Sequence, residues 1–236
     1  MHRLIPLALG LLLLSTVAGA ESLPNPRDPN LAAKDRLTTL IERVKIEQAK
    51  VQTLEASFTQ RQENELLLAP EESKGVFSYR APNLVRWEYQ TPKPITLLID
   101  GKSMSTWYHD LARVEEMTIG RYSEKVLKYL GASGSLEALL EYFEVQVAFP
   151  NDVTAPYRLD LSPRFERIAK RLTALTIWID AARFVPTRLR YETPGGGVTE
   201  YSFDLLKINP VLPESRFRLD LPQNVQVRVI ELEKAQ

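Results

Sequence analysis

The chain has 236 residues, 44% hydrophobic and 25% charged, with 30 Lys and Arg balanced by 30 Asp and Glu, two His and no Cys. A formal charge of zero gives no field to hold a nucleic-acid backbone. The lack of cysteine excludes disulfides, thiolate nucleophiles, Cys-based zinc sites and a lipidated N-terminal Cys.

Residues 1–20 join a basic start, His2 and Arg3, to the apolar run Leu4 to Val17 and end in Ala18-Gly19-Ala20, the layout of an export signal with a small-x-small cleavage site. The run is shorter than the ~20 residues needed to cross a bilayer. The expectation is a signal peptide cleaved after Ala20, then a Pro-rich linker over 21–30 and a single domain over 31–236, exported and without a transmembrane segment. Between Leu31 and Leu54 the residues Leu37, Leu40, Ile41, Val44, Val51 and Leu54 recur at three- and four-residue steps, which predicts an amphipathic helix with one buried stripe.

The period then changes to two. Strands are predicted from Leu54 to Thr59, Val76 to Tyr79, Leu84 to Tyr89, Ile95 to Ile99, Met104 to Tyr108 and Arg113 to Met117, with Asp100-Gly101 as a tight turn. Helical spacing returns at Tyr122 to Leu130 and Leu136 to Phe143, with Ser135 as a possible N-cap. Strands resume at Val145 to Phe149, Tyr157 to Leu161, Leu172 to Asp180, Pro186 to Tyr191 and Val198 to Leu205, the last two joined across Pro194 to Gly197. Helix, strands, short helices, strands is an α+β, mainly β, order. It favours an antiparallel sheet, as an open barrel or a sandwich, over a parallel doubly wound one.

The search for reacting groups finds no catalytic residue. His109 is the only imidazole after residue 20, and a lone imidazole beside a turn is ordinarily solvated. The pairs Glu71-Glu72 and Glu115-Glu116 point to opposite faces of any strand that carries them. No phosphate-cradling glycine motif, metal cluster or cofactor site is evident. Val85, Trp87 and Tyr89 share one strand face, with Trp107, Phe149 and Trp178 on other strands. They make either an ordinary core or the lining of an apolar cavity.

Phe58-Thr59-Gln60, the run from Gly75 through Pro82-Asn83-Leu84-Val85-Arg86-Trp87 to Tyr89, then Pro92, Asp100-Gly101, Trp107-Tyr108, Thr199 to Phe203, Asn209, Phe217 and Leu221 to Val225 together resemble the LolA family of periplasmic outer-membrane lipoprotein carriers. The resemblance implies an unclosed antiparallel β-barrel (a half-barrel) with the N-terminal helix and short helices as a lid over an apolar cavity. By this likeness Phe58, Val85, Trp87, Tyr89 and Trp107 line the acyl-chain cavity, and Leu37, Leu40, Ile41 and Val44 form the lid helix. Relatives carry a lid-gating Arg directly before the Pro of the Pro-Asn-Leu stretch. Ala81 stands there in this chain, so the gate falls to Arg80, one residue earlier, or to Arg86.

The implied partners are acylated lipoproteins, an inner-membrane ABC-type lipoprotein exporter and a LolB-like outer-membrane receptor, served by a monomer that needs no cofactor. The absent lipidated Cys sets the chain apart from the receptor itself. A lipid-sensing or interaction module on the same half-barrel, or a carrier of a specialised lipid, are the alternatives. A Glu at Val85 is expected to abolish uptake and leave the fold intact.

Overall fold

The computed structural model describes residues 23–65, 67–119 and 136–230. Helix α1 (Ala33–Gln48) is followed by six strands, β1 (Thr53–Glu63), β2 (Glu71–Arg80), β3 (Leu84–Thr91), β4 (Ile95–Ile99), β5 (Ser103–Tyr108) and β6 (Arg113–Thr118). After α2 (Leu136–Tyr142) come β7 (Phe143–Ala148), β8 (Tyr157–Pro163), the short α3 (Glu166–Ala169), β9 (Ala174–Ile179), β10 (Pro186–Glu192), β11 (Val198–Ile208) and β12 (Gln226–Ile230). The predicted helix over Tyr122 to Leu130 and its Ser135 cap lie outside the described residues. The helix predicted to reach Leu54 ends at Gln48, and Leu54 is already in β1. β12 is a strand that the sequence pattern does not predict.

All twelve strands of the described residues form one sheet in the order β12-β6-β5-β4-β3-β2-β1-β11-β10-β9-β8-β7. It is unclosed, with β12 and β7 at its two edges. Every pairing is antiparallel except that of β12 with β6. The seam between the two halves is β1 against β11, with Phe58 opposite Phe203 and Gln60 opposite Tyr201. The hairpins that build the halves carry their own signals. Asp100 Oδ1 accepts from the Lys102 and Ser103 N–H groups, and Gly101 takes φ +87 between β4 and β5.

Ring distances show how far the sheet curls. β3 and β11 are three strand spacings apart, ~14 Å on a flat sheet. The Trp87 ring on β3 nevertheless lies 5.5 Å from Tyr201 and 6.0 Å from Phe203 on β11. Only a strongly curved sheet brings these side chains together, so their shared face is concave. The predicted half-barrel is the observed architecture.

The concave face carries two apolar clusters. One collects Phe58, Phe77, Val85, Trp87, Ile99 and Ile119, with Tyr89, Leu97, Met104, Met117, Tyr201 and Phe203 packed on it. The other, over β7 to β9, collects Tyr157, Leu159, Leu161, Ile177 and Ile179 under α1 and α2. Leu40, Ile41 and Val44 are buried in this second cluster and Leu37 packs against it. The helix stripe is buried as its spacing predicts, but it covers the β7–β9 half, not the strands that hold Phe58 and Trp87.

Candidate functional site

Alternation along three neighbouring strands builds the aromatic face. Val85, Trp87 and Tyr89 stand opposite Tyr79, Phe77 and Gly75 on β2, and Gly75 stands opposite Phe58 on β1. Gly75 is required here: a Cβ on it would lie 2.0 Å from the Glu88 carbonyl oxygen and 2.8 Å from Phe58 Cε1. The bare backbone lets the Phe58 ring settle over β2. It meets Tyr89 at 5.0 Å and Trp87 at 5.4 Å, both edge-on. Trp87 in turn meets Phe77 at 4.7 Å. Edge-to-face packing of this kind matches ring edges to ring faces and adds to the burial of area.

Two features of the cluster are polar. The Trp87 side chain is 9% exposed, and its indole Nε1 is buried with no hydrogen-bond partner among the described residues. The Tyr89 and Tyr201 hydroxyls are 3.5 Å apart. Burial pushes both phenols above their ordinary value, and for Tyr201 the Tyr89 neighbour adds to the effect. Both therefore stay neutral at any physiological pH and serve only as hydrogen-bonding groups.

Of the predicted lining residues, Phe58, Val85, Trp87 and Tyr89 come together on the concave face. Trp107 does not. It pairs with Thr96, which pairs with Glu88, and alternation places all three on the convex face, opposite Trp87. There the Trp107 ring stacks on His109 at 3.7 Å, and His109 Nε2 lies 3.0 Å from Thr96 Oγ1. Burial lowers the His109 pKa, so the ring is neutral and held, not free in solvent as its turn position suggested. Trp178 is also convex, between Arg188 at 5.0 Å and Arg158 at 5.9 Å.

Arg80 and Arg86 are convex too. Arg80 donates to the Leu212 carbonyl and lies 5.1 Å over the Phe217 ring. Arg86 donates to Glu88 at 2.8 Å and to the Arg218 carbonyl at 3.2 Å. Arg216 joins them, reaching Ser78 Oγ at 3.1 Å and Glu88 at 3.3 Å. These arginines fasten the segment leading to β12 across the back of β2 and β3. Arg80 stands on this face, away from Trp87, because a shift of one along a strand reverses the face. A pocket of about 380 Å³ lined by Arg86, Trp107, Arg216 and Arg218 lies on this side.

The helix that was expected to act as a lid is tied down by cations on aromatic faces. Arg43 lies 4.4 Å over Phe184 and Arg36 5.7 Å over Phe149. Ahead of the helix, Arg27 donates to Tyr157 Oη at 3.1 Å, Pro150 O at 2.7 Å and Ala155 O at 3.0 Å. The segment read as a linker is thus docked on the β7–β8 connection.

The sequence pattern of the family described as "Outer membrane lipoprotein carrier protein LolA" matches residues 49–220. The chain belongs to the LolA family. Relatives include two proteins named outer-membrane lipoprotein carrier protein. That of Alkalilimnicola ehrlichii is 28% identical over 186 residues, 75% of this chain and 78% of its own. That of Pseudomonas fluorescens is 26% identical over 223 residues, 92% and 96% respectively. Among solved structures, an uncharacterized conserved protein from Thermus thermophilus shares the fold, with a TM-score of 0.55 at 12% identity over 82% of this chain and 99% of that one.

Within this LolA member the family-like residues have visible duties. Pro82 follows a cis peptide and closes the β2–β3 turn. Asn209, at φ 56, accepts from the Gln52 and Thr53 N–H groups at 2.7 and 3.2 Å and donates to Lys50 O at 3.0 Å. It locks the exit of α1 to the end of β11. Phe77, Tyr201 and Phe203 belong to the aromatic cluster but were not singled out from sequence. Their alternation within β2 and β11 was legible; the β1–β11 pairing that delivers Tyr201 and Phe203 to Phe58 was not.

Proposed function

We propose that this chain is a periplasmic carrier that shelters the acyl chains of lipoproteins and moves them from an inner-membrane ABC-type exporter to an outer-membrane acceptor. The observation that carries this reading is the concave aromatic face, held together by ring contacts. Membership in a family named for lipoprotein carriage supports it. Each acyl methylene moved out of water gains ~0.8 kcal/mol, so one chain of ordinary length is worth on the order of 10 kcal/mol.

A carrier must release its cargo, so part of that gain has to be offset. In the structure the cluster is closed on itself, and a guest must part the rings of Phe58, Phe77, Trp87, Tyr89, Tyr201 and Phe203. Their mutual contacts are worth about 0.5–1.5 kcal/mol per pair beyond burial. Over the seven pairs that comes to about 4–10 kcal/mol, comparable at its upper end with the gain from one chain. Rearrangement of these rings, with α1 left in place over β7–β9, gives intermediate affinity. The lid action first ascribed to α1 passes to the aromatic side chains.

A Glu at Val85 is the wrong probe, because that side chain is fully buried and an unpaired carboxylate there opposes folding itself. The three tryptophans supply a better one. Proteins retaining only Trp87, only Trp107 or only Trp178, the others changed to Phe, are titrated with an ester bearing brominated acyl chains. Quenching of Trp87 alone supports the reading. Equal quenching of convex Trp107 and Trp178, or none at any site, refutes it. A parallel assay follows a triacylated lipoprotein from inner-membrane to outer-membrane vesicles and tests the shuttle step.

A further inference from the structure

The Trp87 indole is more than nine-tenths buried, yet its Nε1–H has no acceptor among the described residues. Its nearest aromatic neighbours, Phe58, Phe77, Tyr201 and Phe203, surround it edge-on and offer ring faces and carbon. A buried donor left unpaired bears its full desolvation cost, and in native proteins such groups call for an explanation. A second donor is close by. The Tyr89 and Tyr201 hydroxyls share one hydrogen bond between them, at 3.5 Å. Two hydroxyls carry two protons, so one O–H remains available after that bond is made.

A purely hydrocarbon guest would leave both donors as they are. A guest that brings a carbonyl oxygen into the cluster would satisfy them. A carboxylate would bring acceptors too, but also a charge: the rings around Trp87 carry none to meet it, and Arg113, which the register through Tyr108 and Ile95 places on the same face as Tyr89, is paired with Glu115 at 3.3 Å. Arg80 and Arg86, on β2 and β3, are committed on the other face of the sheet.

We infer that the concave cluster selects neutral acyl esters and amides, seating the carbonyl end of the chain so that its oxygen accepts from Trp87 Nε1 and from the Tyr89–Tyr201 pair. This inference rests on the acyl-carrier reading and sharpens it: the site recognises the linkage between chain and head group, and discriminates against alkyl ethers and free fatty acids. Trp87 and the two tyrosines then act as specificity determinants within an otherwise undirected apolar surface. A binding site of this kind joins a large apolar area to a few placed polar groups.

The test compares dioctanoylglycerol, a diester, with dioctylglycerol, the diether of equal chain length, as competitors that displace N-phenyl-1-naphthylamine from the full chain. One added hydrogen bond to a previously unpaired donor predicts about a 3- to 10-fold preference for the diester. Trp87→Phe, which keeps the ring and removes the N–H, and Tyr201→Phe should each lower the ratio. Octanoate at pH 8 should compete weakly. Equal displacement by diester and diether from the unaltered protein overturns the inference and leaves the carrier reading standing. Failure of every competitor and of the dye to bind removes both. Because the central comparison uses the unaltered chain, a variant that fails to fold does not blunt it.

Discussion

Replacing Gly75 with Ala tests whether the aromatic face depends on that bare backbone position. The new Cβ would lie 2.0 Å from the Glu88 carbonyl oxygen, against a floor of 3.0 Å for real Cβ contacts, so β3 must retreat from β2 by about 1 Å, the difference between the two distances. The obstructing atom belongs to the backbone of an interior strand, where a rotamer change cannot relieve it. Overpacking typically costs ~1–3 kcal/mol, and this case belongs at the upper end.

For a domain of this size ~3 kcal/mol corresponds to a fall in Tm of roughly 6–12 °C. Thermal unfolding followed by far-ultraviolet circular dichroism reads the shift directly. Changing Phe58 to Leu in the same background removes the second obstruction, at 2.8 Å, but not the first, so it should recover little of the loss. A Tm within about 2 °C of the parent, on the same scale, or full rescue by Phe58→Leu, refutes the argument.

Two further outcomes follow from local geometry. Asn209→Ala loses the bonds to Gln52, Thr53 and Lys50 and keeps a β-carbon in the left-handed region without the side-chain bonds that offset its cost, so urea unfolding should show a loss of about 2–4 kcal/mol. Asn209→Gly, which tolerates φ 56, should retain about 1 kcal/mol of that; equal losses would count against the backbone explanation. Burial by itself would raise the Asp180 pKa, but bonds from the Arg183 side chain and from the Arg183 and Ala182 N–H groups outweigh it and hold the carboxyl below its ordinary 3.8. A depressed carboxyl stabilises the fold above its unfolded value and ceases to do so as pH falls through the folded one. The Tm gap between the parent and Asp180→Ala should therefore narrow from pH 7 to pH 3, and a gap that is constant or widens contradicts the assignment.

Much of this protein was legible locally. Period-two alternation identified eleven of the twelve strands, with Ile95–Ile99 matched at both ends, because the two faces of each curved-sheet strand meet different environments. The missed strand, β12, lies at the edge and is almost wholly exposed, so no buried face imposed a pattern on it. The three- and four-residue spacing of Leu37, Leu40, Ile41 and Val44 likewise marked a buried helix stripe. Alternation also put Val85, Trp87 and Tyr89 on one face.

What alternation cannot supply is a common reference between strands. It fixes the side of a residue relative to its own neighbours, and only the register from β3 through β4 to β5 shows that Trp107 stands behind the sheet while Trp87 stands within it. Nor does a stripe name what it covers: α1 settled on β7–β9, whose residues come about a hundred positions later in the chain. The aromatic cluster itself is closed by the pairing of β1 with β11, which sets Phe58 against Phe203. The sequence by itself determined the faces and the turns; tertiary pairing decided which faces meet, because contacts across such separations depend on the curvature and order of the entire sheet.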